Sequence, residues 1–151
     1  MKKRYWLFAI FLIIVCFIWG NSVLSSQLSS EISMAVGKFI ASIFGTGDST
    51  TTVGGLSVRK MAHFIEFAAL GVVASLLFKR FLKNKGIYVL VLSLCGVFVA
   101  LMDETIQIFS NRGSSVRDVW IDVLGYATGC FAVALICFVI AKTKNKKENN
   151  D

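Results

Sequence analysis

The chain has 151 residues, 56% of them hydrophobic, and carries a formal net charge of +7. Its mean hydropathy of +0.71 comes from apolar blocks separated by charge, which is unlike a soluble domain, and its basic residues flank those blocks rather than lining a polar face, which excludes a nucleic-acid-binding surface. Cys16, Cys95, Cys130 and Cys137 all lie inside apolar blocks with no CxxC spacing, which excludes a disulfide framework and a zinc motif.

Four segments are long and apolar enough to cross ~30 Å of hydrocarbon. The first covers about residues 5–24, with the core YWLFAIFLIIVCFIWG. Met1-Lys2-Lys3-Arg4 before it would also suit a signal peptide. The apolar run is long for that, Trp19 stands at its end as an interfacial anchor would, and no small-x-small site follows, so we expect a retained span. Next comes a loop rich in Ser, Thr and Gly. Within it LSSEISMAVGKFIASIFG places Leu28, Ile32, Phe39 and Ile43 near one helical stripe, the pattern of a short amphipathic helix on the membrane surface. GTGDSTTTVGG then reads as a flexible connector.

The second span covers about residues 58–82, the third 86–109 and the fourth 118–141, with the short polar loop SNRGSSVR before the fourth. Chain without proline gives no proline kink. Residues 142–151, KTKNKKENND, read as a disordered basic tail. Trp6, Trp19 and Trp120 stand at span ends as interfacial anchors.

Orientation follows from the basic residues. Lys2, Lys3, Arg4, Lys79, Arg80, Lys83, Lys85, Lys142, Lys144, Lys146 and Lys147 fall on one side, against Lys38, Arg59, Lys60, Arg112 and Arg117 on the other. The positive-inside rule then puts both termini in the cytoplasm. The expectation is one all-α domain, residues 1–141: a four-helix transmembrane bundle in the cytoplasmic membrane, with an amphipathic helix in the first external loop.

An ionisable residue inside a span is costly unless it is paired or faces water. The second span nonetheless carries His63 and Glu66 at i, i+3, the third carries Asp103, Glu104 and Gln107, and the fourth carries Asp118 and Asp122 at i, i+4. Gly125 and Gly129 continue the face of Asp122 with the spacing that lets two helices approach closely. Measured from each basic end at ~1.5 Å per residue, Glu66 lies ~20 Å up, His63 ~24 Å, Asp103 ~26 Å and Asp122 ~30 Å. Three helices thus place polar groups in one layer in the outer third of the bilayer. Arg112 and Arg117 lie in the loop above it.

One reading of the layer is structural: carboxylates paired with Arg59, Arg112 or Arg117, and Gln107 joining helices. The other is an outward-facing pocket that binds or modifies something. The five carboxylates Glu66, Asp103, Glu104, Asp118 and Asp122 exceed what holding four helices requires. Its ligand-binding residues would be His63, Glu66, Asp103, Glu104, Gln107, Arg112, Asp118 and Asp122. Glu66, Asp103 and Glu104 are the candidates for acid–base chemistry, although no nucleophile stands out. A lone histidine argues against a dedicated transition-metal site, and no cofactor is expected.

RKMAHFIEFAALG, followed by DETIQIFSNRGSSVRDVWIDVLGYATG, resembles the VanZ-like family. The matching positions are Lys60, His63, Phe64, Glu66, Asp103, Glu104, Gln107, Phe109, Arg112, Ser115, Asp118, Asp122, Gly125 and Gly129, within a likeness covering about residues 5–140. NSVLSSQLSSEIS after the first span is in the family's style as well. The chain departs from the pattern at Phe67, where a tyrosine is frequent, at Asp122, where an asparagine also occurs, and in SNRG, where Pro-Gly-Arg is more usual. The resemblance implies a multi-pass protein of the bacterial cell membrane linked with resistance to teicoplanin, a lipoglycopeptide that binds cell-wall precursors. Its partners would be membrane lipids, a lipid-linked cell-wall precursor or lipoglycopeptide, and a second copy in a homo-oligomer. A non-enzymatic binding factor is the leading expectation. The alternatives are a membrane enzyme acting on a lipid-linked substrate and a small transporter.

Overall fold

The computed structural model describes residues 2–23, 52–53, 56–110 and 115–148, with side chains for 5–23, 60–110 and 115–144. Four helices dominate: α1 (Lys2–Val23), α2 (Val58–Phe81), α3 (Lys85–Phe109) and α4 (Val116–Glu148). Each contains a stretch long and apolar enough to cross a membrane: Tyr5–Val23, Lys60–Phe81, Lys85–Phe109 and Val116–Lys144. The expected amphipathic helix lies outside the described residues. In the stretch expected to be a flexible connector, the two-residue strands β1 (Thr52–Val53) and β2 (Leu56–Ser57) pair antiparallel, Thr52 opposite Ser57 and Val53 opposite Leu56. They are the only strands among the described residues.

Local chemistry sets the helix boundaries. Asn84 caps α3: its side-chain oxygen accepts from the backbone N–H of Gly86 at 2.9 Å and of Ile87 at 3.3 Å, satisfying donors that have no partner inside the helix. At the other end, the Ser110 backbone N–H and hydroxyl both donate to the Ile106 carbonyl, at 3.0 and 2.9 Å. Ser115 starts α4, accepting at its hydroxyl from Arg117 N–H. Asp118 in the first turn then suits the positive end of the helix dipole. α4 continues to Glu148, so residues 142–148 are helical where a disordered tail was expected.

The exterior is greasy. Phe8, Phe17, Leu94, Phe98, Phe131 and Phe138 are all at least half exposed, as a lipid-facing surface requires. Thr105 and Thr128 on that exterior donate their hydroxyls to the carbonyl four residues earlier, at 2.7 and 2.8 Å, so neither brings an unsatisfied hydroxyl into hydrocarbon. Trp6 and Trp120 are exposed. Trp19, read as an interfacial anchor, instead packs against the core.

The helices alternate in direction. α1 runs antiparallel to α2, with Phe11 beside Phe78 and Asn21 beside Glu66. α2 and α4 run parallel: Phe64 meets Gly125, Ala68 meets Gly129 and Gly71 meets Cys130. Glycine makes this last contact close. A Cβ at Gly125 would fall on the Phe64 carbonyl, one at Gly129 on the Ala68 carbonyl and one at Gly71 on the Tyr126 carbonyl. The small-residue face read from the sequence is therefore the seam of α4 against α2. Beneath the polar layer the core is apolar, built from Val15, Ile18, Phe67, Leu70, Leu92 and Val99. Tyr126 fills the space that Gly96 leaves and donates its hydroxyl to the Leu92 carbonyl at 2.9 Å. All four cysteines are free.

Candidate functional site

The polar residues of the spans converge at one end of the bundle, where α2 and α4 begin and α1 and α3 end. α2 brings Lys60, His63 and Glu66 along one face, one turn apart. α3 brings Asp103, Glu104 and Gln107, all buried, and α4 brings Asp118 and Asp122. The close seam of α2 against α4 sets His63 across from Asp122. The ligand-bearing atoms of His63, Asp103 and Asp122 lie within 4.8 Å of one another, from three different helices.

Asp103 is the most fixed member. It is fully buried. Oδ1 accepts the Ser22 hydroxyl at 2.6 Å, and Oδ2 accepts from Gln107 Nε2 at 2.7 Å. The Ser22 bond ties α1 to α3, and the Gln107 bond runs within α3. Glu66 accepts from Asn21 Nδ2 at 3.3 Å. His63 Nδ1 stands 3.9 Å from both Glu66 Oε2 and Asp103 Oδ2, beyond hydrogen-bond length but well inside Coulombic reach. At the edge of the cluster Lys60 Nζ pairs with Asp118 Oδ1 at 2.5 Å. A crevice of about 10 Å³, lined by Lys60, His63, Glu104, Gln107, Asp118, Ile121 and Asp122, enters between α2, α3 and α4. That is room for about one water molecule or ion.

Of the residues singled out from sequence, His63, Glu66, Asp103, Glu104, Gln107, Asp118 and Asp122 gather in this one place. Arg112 lies outside the described residues. The cation paired with a carboxylate here is Lys60, whereas Arg117 is exposed. Sequence reasoning missed Asn21 and Ser22, which complete the site from α1. The signal was the polar pair closing an otherwise unbroken apolar run.

The arrangement can hold positive charge and accept hydrogen bonds. A buried carboxylate is costly unless paired, and this layer holds more carboxylates than cations among the described residues.

Comparison with curated proteins and with solved structures finds no match. The sequence model of one family, VanZ/LLP1, matches residues 5–140, a range that takes in three apolar spans whole, the fourth up to residue 140, and every residue of the polar cluster. With its four apolar helices and their shared polar end, the chain belongs to the VanZ/LLP1 family.

Proposed function

We propose that this multi-pass membrane protein acts in the bacterial cell envelope, in the cytoplasmic membrane with both termini inside. Its polar crevice binds a lipid-linked cell-wall precursor or a lipoglycopeptide, and it thereby contributes to teicoplanin-type resistance. One observation carries the reading: the crevice lined by Lys60, His63, Glu104, Gln107, Asp118, Ile121 and Asp122. It lies at the end of the bundle remote from the basic α2–α3 loop, so the positive-inside rule favours an outward position. At about 10 Å³ it admits only a small group, such as a hydroxyl or an ammonium, while the bulk of a ligand stays at the lipid interface. Donors and acceptors of both charges line it, which suits a sugar–peptide ligand better than a purely anionic one.

The test is genetic and direct. Deletion should raise sensitivity to a lipoglycopeptide, wild-type chain should restore resistance, and Glu104→Ala should fail to restore it at equal membrane abundance. Unchanged sensitivity on deletion, with both chains equivalent, would refute the reading.

An enzymatic alternative draws support from the crevice-lining Glu104, the carboxylate best placed for acid–base work. Asp103 is committed to Ser22 and Gln107. It predicts a mass change in an envelope lipid that depends on Glu104, and an unaltered lipid profile would exclude it. A proton relay or ion transporter would need ionisable steps through the core, where Phe67, Leu70, Ala74 and Leu92 stand beside the uncharged Ser75.

A further inference from the structure

We propose that His63, Asp103 and Asp122 bind a divalent metal ion. The three residues come from α2, α3 and α4, are 6%, 0% and 2% exposed, and hold their ligand-bearing atoms within 4.8 Å of one another. Ligands around an ion at ~2.1 Å stand at most ~4.2 Å apart, so small side-chain rotations suffice to close the set.

Further observations point to an ion. Asp122 is buried, borders the crevice, and makes no hydrogen bond or ion pair with any described residue. Lys60, the cation beside it, is taken by Asp118. A carboxylate in that position needs positive charge from elsewhere. Asp103, in contrast, is held at both oxygens by Ser22 and Gln107, the outer-shell support that fixes metal-binding carboxylates. Each of its oxygens keeps a second lone pair for a metal. Glu66 Oε2, 3.9 Å from His63 Nδ1, is placed to orient the imidazole from the α1 side. His63 and Asp122 also line the crevice, whose volume of about 10 Å³ leaves room beside them for one further oxygen ligand from water or from a bound molecule.

The donor set selects the metal class. One imidazole with carboxylates suits zinc, manganese or ferrous iron, whereas magnesium and calcium prefer oxygen alone. From sequence, a lone histidine argues against such a site, and donors drawn from three helices leave no spacing motif to read. The proposal does not depend on the envelope ligand, and its test uses none.

The experiment takes the full chain in mild detergent, strips it with chelator, and equilibrates it with Zn²⁺ alone or Mn²⁺ alone. Bound metal is counted by mass spectrometry, and the zinc edge is examined for imidazole scattering. We expect one ion per chain, an imidazole signature, and binding at least ~10-fold weaker in Asp122→Asn and His63→Gln. Thr105→Ala, which changes an outward-facing hydroxyl, should bind as wild type. Absence of stoichiometric binding by the wild-type chain overturns the proposal even if a variant fails to fold. So does wild-type affinity in correctly folded Asp122→Asn, or zinc without an imidazole in its shell.

Discussion

Substituting Gly129 by alanine tests the seam of α2 against α4 most directly. The new Cβ would lie 2.9 Å from the Ala68 carbonyl carbon and 3.0 Å from Val72 N, with ordinary contact beginning at 3.4 Å, and closer still to the Ala68 carbonyl oxygen. All three are backbone atoms, so no side chain can swing aside. To clear that oxygen the helices must separate by about an ångström or more, losing dispersion contacts along the seam. Overpacking of this kind costs about 1–3 kcal/mol, and each kcal/mol moves the melting temperature of a chain this size by about 2–4 °C. Gly20→Ala supplies the control, since nothing lies within 4 Å of its Cβ and alanine is the better helix former by ~1 kcal/mol. A thiol-reactive dye reports unfolding in detergent, because Cys95 and Cys130 are half-buried and free while Cys16 is exposed and sets the baseline. Gly129→Ala should melt several degrees below wild type and Gly20→Ala at or above it. Equal melting temperatures for the two variants would refute the close-seam argument.

Ser22→Ala removes the 2.6 Å bond to Asp103 and should cost about 1–2 kcal/mol in the same melting assay, whereas Ser22→Thr, which keeps the hydroxyl, should recover much of it. Tyr126→Phe loses the hydroxyl bond to Leu92 but keeps the ring against Gly96. A loss of about 1 kcal/mol is expected, against about 3–5 kcal/mol for Tyr126→Ala, which opens a cavity. Reporter fusions at the C-terminus should fluoresce as a cytoplasmic protein does and show no periplasmic phosphatase activity, and the reverse pattern would invert the assignment of sides.

The four spans were legible because a membrane imposes its thickness on the chain: about twenty apolar residues per crossing leave a mark that no side-chain detail obscures. The polar layer was legible for a related reason. Helical rise converts sequence distance into depth, so His63, Asp103 and Asp122 could be put at similar heights without a structure. Rise carries no information about which helices touch. The glycine face of α4 was visible, but its partner α2 was not. Asn21 and Ser22 escaped notice because small polar residues at a span's end look like ordinary interfacial residues until the side chain they bond is known. The charged composition of residues 142–148 reads as disorder, yet the segment is helical. Thr143 instead continues the helix and donates to the Val139 and Ile140 carbonyls at 3.1 and 2.9 Å.

The parallel pairing of α2 with α4 has a consequence for biogenesis. The pair joins segments about sixty residues apart, with the whole of α3 between them. As the helices leave the insertion machinery in chain order, His63 and Asp103 enter the bilayer ahead of Asp122, and Lys60 enters ahead of Asp118. Each helix must therefore partition by its own apolar bulk, carrying its charges as a temporary burden. The cluster closes last, when α4 zips along the glycines of the seam. Chains truncated before Asp118 would leave Lys60 without its carboxylate partner and α2 without the glycine-lined face of α4, a natural mark for quality-control proteases.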